Sequence, residues 1–199
     1  CGSKFLVTEN LLKNNITTPE TVIAFTRDSA LEAIEKLGYP VVLKPAIGTW
    51  GALCSKINDR EAAEAVIDHK EKLGSYHHSV YYIQEHVNKP GRDIRVFVVG
   101  DKVVGAIYRY SKHWMTNIEN NQTIEKCELT NEIRELALAA TKAVKGEIVA
   151  VDMLEKGYKI LVNEINYTVE FSKILSLFDK NIVNEIIDHV ERKYSEVQQ

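Results

Sequence analysis

The chain has 199 residues, 45% hydrophobic and 27% charged, the balance of an ordinary globular chain long enough for one large domain or two small lobes. Its 28 acidic residues outnumber 25 basic ones, so it lacks the general positive field that holds a nucleic-acid backbone, though a small local phosphate site stays open. No apolar run is long enough to span a membrane, no signal peptide opens the chain, and Cys1, Cys54 and Cys127 follow no metal or disulfide spacing, which points to free thiols in the cytoplasm.

The chain starts at Cys1 without a methionine and enters a helical pattern at once, so it reads as part of a longer protein. Phe5, Leu6, Leu11 and Leu12 form the apolar stripe of that helix, closed by Asn14, Asn15 and Pro19. TVIAF is a short strand. Ser29 is expected to cap a helix through Leu37, with Gly38 as its left-handed stop. VVLKP is a second strand, followed by the loop AIGTWG and a third strand, ALCSKI. Asp59 caps a helix to Leu73 that stops at Gly74, and VYYIQEHV reads as a buried strand.

NKPGR, residues 88–92, breaks both regular structures and is the best internal boundary. DIRVFVV and KVVGAIYRY then form a hairpin turned at Gly100-Asp101. Thr130 caps a helix to about Val144. IVAVDML and KILVNEI form a second hairpin turned at Lys156-Gly157-Tyr158, and residues 181–194 close the chain as an amphipathic helix. The pattern is α+β without a strict βαβ repeat. It predicts two α+β lobes, residues 1–87 with the leading helix and residues 88–199, meeting near residue 88.

The closing hairpin carries the most specific chemical signal. Glu164 and Asn166 stand two apart in an apolar strand, so they share a face, and Asp152 lies in the partner strand. A three-residue loop that pairs Glu155 with Lys159 sets Asp152 opposite Val162 and on that same face; a two-residue loop sets it on the other. Gly157 can supply the left-handed residue of the longer loop. Three oxygen-bearing side chains converging in apolar strands suit a hard cation such as Mg²⁺. Lys44, at the end of an apolar strand, and the two glycines of the loop after it are candidates for phosphate, with snorkelling and an ordinary turn as the structural alternatives. Asp93, Arg95 and Arg109 fall in one hairpin, where the arginines fit phosphate or carboxylate and a cross-strand Asp93–Arg109 ion pair is the alternative. His77-His78 reads as an exposed loop pair, and Trp50 and Trp114 as packing or pocket-wall residues. A cation site, a lysine with a glycine loop and paired arginines together are the equipment of phosphoryl transfer.

YYIQEHVNKPGRDIRVFVVGDKVVGAIYR, with VVLKPAIGTWG before it and AVDMLEKGYKILVNEINYTVEF after it, resembles the RimK-like ATP-grasp ligases. The resemblance runs over nearly the whole chain and is closest to the LysX-type branch, which joins α-aminoadipate to the carrier protein LysW in lysine biosynthesis. By that resemblance the residues given are expected to lack the domain that precedes the ATP-grasp fold in that family. The resemblance implies an ATP-grasp fold with nucleotide bound between two α+β lobes, and ATP and Mg²⁺ as cofactors. By that resemblance Lys4 and Lys44 contact phosphates, and Gly48, Thr49, Trp50 and Gly51 form a small loop over them. Glu85, His86 and Val87 are the hinge that meets adenine, Asp93 the ribose acid and Asn117 a nucleotide-side amide. Arg95 and Arg109 lie near the γ-phosphate and acyl phosphate as catalytic residues, while Asp152, Glu164 and Asn166 hold Mg²⁺. Asn166 and Thr168 face the amino-acid substrate.

Two places depart from the family pattern. Met115 stands where relatives commonly carry an arginine, and Glu119-Asn120-Asn121 where they carry Arg-Gly-Gly, which narrows the backbone conformations open to that loop. The implied activity is ATP-dependent carboxylate–amine ligation through an acyl phosphate to an isopeptide bond, on the C-terminal Glu of an acidic LysW-like carrier. Glutamate as the substrate, a ribosomal protein tail as the acceptor, and a nucleotide-binding module without catalysis are the alternatives. No nucleic-acid or membrane partner is expected, and a homo-oligomer is open.

Overall fold

A computed structural model of the chain describes residues 2–46, 52–74, 79–116, 123–178 and 182–197. The leading helix α1 (Lys4–Lys13) is capped by Ser3, whose side chain accepts from the Leu6 amide. It buries Val7 and Leu11, one turn apart, and leaves Phe5, Leu6 and Leu12 exposed. The apolar stripe read from the sequence therefore picked a face on which only Leu11 is inside.

The first sheet, in the order β1-β4-β2-β3, consists of β1 (Thr21–Ala24), β2 (Val41–Lys44), β3 (Ser55–Ile57) and β4 (Tyr81–Glu85). Helices α2 (Arg27–Leu37) and α3 (Arg60–Leu73) cover it, burying Ala30, Ile34, Ala63 and Ile67 against Val41, Leu43, Ile57 and Ile83. Thr26, not Ser29, is the N-cap of α2. Ser29 is the third helical residue of a capping box, its hydroxyl accepting from the Thr26 amide, so the helix starts two residues before Ser29. Asp59 caps α3 as expected, accepting from the Ala62 amide at 2.8 Å. The strand expected over ALCSKI shortens to its last three residues, because Leu53 turns the chain at φ +60° and is exposed.

The second sheet, in the order β7-β6-β5-β8-β9, holds β5 (Arg92–Val99), β6 (Lys102–Tyr110), β7 (Thr123–Lys126), β8 (Ile148–Lys156) and β9 (Lys159–Asn166). Strand β7 and a 3-10 helix (Ser172–Leu177) carry no signal that the sequence reading used. Helix α4 (Asn131–Ala143), capped by Thr130, buries Ile133, Ala137 and Ala140 against Ile94, Val96, Val151, Met153, Val162 and Ile165. Val7, Leu11 and Ile16 join this same core, so the leading helix packs on the second sheet although it precedes the first. The opposite face is divided. Part is apolar under the 3-10 helix and α5 (Ile182–Val197), with Phe97, Ile107 and Ala150 packed on Ile174 and Ile182; the rest is polar. All pairing in both sheets is antiparallel, which with the helices makes an α+β fold. Among the described residues no helix is long and apolar enough to cross a membrane.

The β8–β9 register corrects the expected hairpin. Lys156 pairs with Lys159 across a two-residue turn of Gly157 (φ +61°) and Tyr158, rather than Glu155 with Lys159 across three residues. Such a turn alone would send Asp152 to the face opposite Glu164. The register then shifts: Met153 opposes Val162, but Asp152 opposes Glu164, so Asn163 is the extra residue of a β-bulge. Val162 and Ile165 both reach the core although three residues apart, a spacing an unbroken strand does not allow. The Val162 amide donates to the Thr17 carbonyl at 2.9 Å, which pins the bulge to the segment after α1.

Leu11 is 1% exposed and Leu12 56%. Leu11→Ala is expected to cost about 2–5 kcal/mol and Leu12→Ala no more than about 0.5 kcal/mol, read as the difference in denaturant-unfolding free energy.

Candidate active site

The two sheets and the segment between them enclose a cleft. Lys44 and Cys54 line it from the first sheet's side; Glu85, His86, Val87 and Lys89 from the connecting segment; Asp93, Arg109, Asp152 and Glu164 from the second sheet; and Lys4 from α1. Trp114, Met115 and Thr116 complete the wall. The Val87 amide N–H is a donor with no acceptor among the described residues, in a residue that is itself buried.

The polar face of the second sheet is built by register. Asp93 lies opposite Arg109, Arg95 opposite Asp152, and Asp152 opposite Glu164, so strict alternation brings five charged side chains to one side of four strands. Arg109 donates to both Asp93 oxygens at 2.7 Å through Nε and Nη2. Arg95 holds Asp152 in the same bidentate way, at 2.7 and 2.8 Å, and Arg109 Nη2 lies 3.3 Å from Asp152 Oδ1. Thr116 donates to Asp93, and Lys89 Nζ to Thr116 Oγ1 at 2.9 Å. Asn166 Nδ2 donates to Asp152 Oδ2 at 3.1 Å, which turns its amide oxygen away from that carboxylate, and Lys4 Nζ donates to Glu164 Oε1 at 3.3 Å. The cross-strand Asp93–Arg109 pair is thus formed, and Arg109 still lines the cleft.

Burial disfavours the Asp152 carboxylate, but Arg109 and Arg95 overcome it and hold its pKa at about 2. Burial likewise opposes the Arg109 guanidinium, yet Asp152 and Asp93 raise its pKa. Burial lowers the pKa of Lys44, opposed by Glu164, and that of Lys89, opposed by Asp93. It raises that of the Cys54 thiol against the pull of Lys44. The His86 imidazole is kept below its usual value by burial and by Lys56 and Lys89. Lys44 Nζ donates across the cleft to Asn163 Oδ1 at 3.0 Å, the Thr8 and Tyr82 hydroxyls share a hydrogen bond of 2.7 Å, and Lys156 pairs with Glu85. Each of these contacts joins one sheet, or its attached helix, to the other.

The expected residues Lys4, Lys44, Glu85, His86, Val87, Asp93, Arg109, Asp152 and Glu164 all meet in this cleft. Arg95 and Asn166 stand behind it, attached through Asp152. Thr168 is exposed beyond the end of β9, and Asp93, expected at a ribose, already accepts from Arg109 and Thr116. Gly48, Thr49, Trp50, Gly51 and Asn117 lie outside the described residues, as do His77-His78 and the Glu119-Asn120-Asn121 loop. Sequence reasoning missed Lys89 and Asn163. The signal for Asn163 was the three-residue spacing of Val162 and Ile165, which marks a bulge.

Among the described residues no three His, Cys, Asp or Glu side chains form a group that could hold a metal. Of the three expected donors, the Asp152 and Glu164 carboxylates are set side by side by the register, while Asn166 reaches Asp152 through its amide nitrogen. Hard oxygen donors of this kind fit Mg²⁺, which completes its shell with water and phosphate oxygens.

A family model for the RimK-like ATP-grasp domain matches residues 1–190. The chain is 35% identical over 192 residues to the α-aminoadipate–LysW ligase LysX of Saccharolobus solfataricus, a match covering 94% of this chain and 69% of that one. It is 33% identical over 197 residues to the glutamate–LysW ligase ArgX of Sulfolobus acidocaldarius, covering 98% and 70%. Its fold matches the crystal structure of a RimK-domain ATP-grasp protein of Sphaerobacter thermophilus with a TM-score of 0.75 at 22% identity, over 94% of this chain and 67% of that one.

Removing one partner of a buried ion pair strands the other charge. Asp152→Ala is expected to destabilise the protein by about 3–5 kcal/mol in denaturant unfolding. Because the folded pKa of Asp152 lies below the ordinary 3.8, its stabilisation is full above pH 4 and is lost as pH falls toward 2. An acid-unfolding titration is expected to show that loss in the wild type and not in Asp152→Ala.

Proposed function

The chain belongs to the RimK-like ATP-grasp family of ATP-dependent ligases that form amide bonds, and we propose that it joins α-aminoadipate to the C-terminal Glu of an acidic LysW-like carrier protein in the cytoplasm. The observation that carries this reading is the charge of the cleft. Lys4, Lys44, Lys89 and Arg109 line the cleft with Glu85, Asp93, Asp152 and Glu164, yet Lys44 and Lys89 donate their hydrogen bonds to the neutral side chains of Asn163 and Thr116. A buried ammonium held only by neutral groups is unfavourable until an anion enters, and a triphosphate supplies that anion.

In this reading residues 1–87 and 88–199 are the two lobes, and nucleotide lies between them. The unpartnered Val87 amide at the hinge suits a ring-nitrogen acceptor of adenine. Lys4 and Lys44 take phosphate oxygens, with Gly48, Thr49, Trp50 and Gly51 closing over them and Asn117 and Asp93 on the nucleoside side. The carrier carboxylate attacks the γ-phosphorus, the bond to ADP breaks, and an acyl phosphate forms. Lys44 and Arg109 stabilise the charge that accumulates on the transferring group, while Arg95 keeps Asp152 oriented. The α-amine of the amino acid, held by Asn166 and Thr168, then attacks the acyl carbon; a C–N bond forms, phosphate leaves and the amine gives up a proton. Asp152, Glu164 and Asn166 would hold Mg²⁺, which when bound neutralises phosphate charge.

Glutamate is the second reading for the amino acid, favoured by 33% identity to ArgX beside 35% to LysX. ADP release with the carrier protein, measured in parallel with α-aminoadipate and glutamate, decides between them: faster turnover with α-aminoadipate is expected, and faster turnover with glutamate would assign the second. Glu164→Ala is expected to abolish ADP release while circular dichroism stays that of the wild type; unchanged turnover would refute its metal role.

A further inference from the structure

Asn163 has no partner in the β8–β9 ladder, yet its side chain is the one hydrogen-bond partner of the Lys44 ammonium among the described residues. Lys44 is on the first sheet and Asn163 on the second, 119 positions apart, and both line the cleft. No carboxylate lies within ion-pair distance of Lys44 among the described residues, although Glu164 is adjacent to Asn163 in sequence.

We propose that Asn163 is a positioning residue for Lys44: the bulge that brings Asp152 and Glu164 to one face also presents an amide oxygen across the cleft, and that oxygen sets the Lys44 ammonium in fixed relation to the two carboxylates. The inference rests on the reading of Lys44 as a phosphate-binding lysine. A lysine reaches its target on four flexible bonds, so its charge is poorly placed unless something holds its end. An ammonium has three donors; one directed at Asn163 leaves two for a ligand oxygen. A carboxylate in the same place would orient the lysine too, but would neutralise the charge that the phosphate is to meet. An amide orients it and leaves the charge whole.

The anchor itself is fixed by backbone. The Val162 amide donates to Thr17, and Met153–Val162 and Asp152–Glu164 pairing brackets Asn163 on both sides. The same single-residue insertion thus decides two things: that the two carboxylates share a face, and that the lysine's anchor stands beside them. Asn163 touches no reacting atom in this assignment and acts through Lys44.

A double-mutant cycle tests this, with wild type, Lys44→Met, Asn163→Ala and the double variant titrated with MgATP by calorimetry. Asn163→Ala is expected to weaken ATP about tenfold, the size of one lost hydrogen bond to a charged group. The double variant is expected to bind no more weakly than Lys44→Met alone, because Asn163 has nothing left to position. If Asn163→Ala weakens ATP by the same factor in both backgrounds, the residue acts independently of Lys44 and the proposal is overturned. Denaturant unfolding of the same four proteins without ligand reads the contact directly. Single-variant losses that exceed the double when summed support it, and strict additivity overturns it. A wild type that binds no ATP but shows coupled unfolding refutes the nucleotide reading and keeps the Asn163–Lys44 contact.

Discussion

A carboxylate buried in the middle of a sheet has to be paired, and the candidate site is organised around that requirement at Asp152. Two guanidiniums meet it, Arg95 with two hydrogen bonds and Arg109 from the next strand but one, and Arg109 in turn is clamped by Asp93. Because Arg95 and Asp152, and Asp93 and Arg109, are directly opposed in the ladder, the network is only as good as the register. A one-residue slip at either hairpin would move half of the charges into the apolar core against α4. The network is thus a constraint on the fold as much as a product of it.

The same arrangement accounts for how one face of the second sheet serves two purposes. Toward one end Phe97, Ile107 and Ala150 take the cover of the 3-10 helix and α5; toward the other the charged residues face the first sheet across the cleft. The alternation that points Ile94 and Val96 into the core necessarily points Asp93 and Arg95 out of it. Burial lowers the pKa of Lys44 and Lys89, which face this cleft, and an anion beside them would act in the opposite direction. The side-chain contacts Lys44–Asn163, Thr8–Tyr82 and Lys156–Glu85 join the first sheet to the second sheet and its attached helix α1.

Much of this was legible before the chain was folded. The helix caps at Asp59 and Thr130, the Gly100-Asp101 hairpin, the polar pair Glu164 and Asn166, and the cations at Lys44, Arg95 and Arg109 are local signals, each carried by a few consecutive residues. Other readings went astray where a residue has two locally acceptable fates. Ser29 can cap or sit in a capping box, and the partner that decides is Thr26. Phe5 and Leu6 belong to a plausible helical stripe, but the core that α1 meets lies on the second sheet, and it takes Val7 and Leu11. A turn at Gly157 works with two residues or three, and nothing within the hairpin selects between them.

By itself the sequence determined which side chains alternate where a strand is unbroken, where α3 and α4 begin, and that the chain carries a cation-rich, oxygen-rich set of residues in apolar surroundings. These depend on period-two alternation, capping and composition, all of which act within a few residues. Tertiary structure alone decided that Asp152 opposes Glu164, that Arg109 reaches both Asp93 and Asp152, and that Asn163 meets Lys44. The reason is that register is a property of two strands and their anchors. Here it turns on one inserted residue, Asn163, whose neighbour Val162 donates a backbone hydrogen bond to Thr17, 145 positions earlier in the chain.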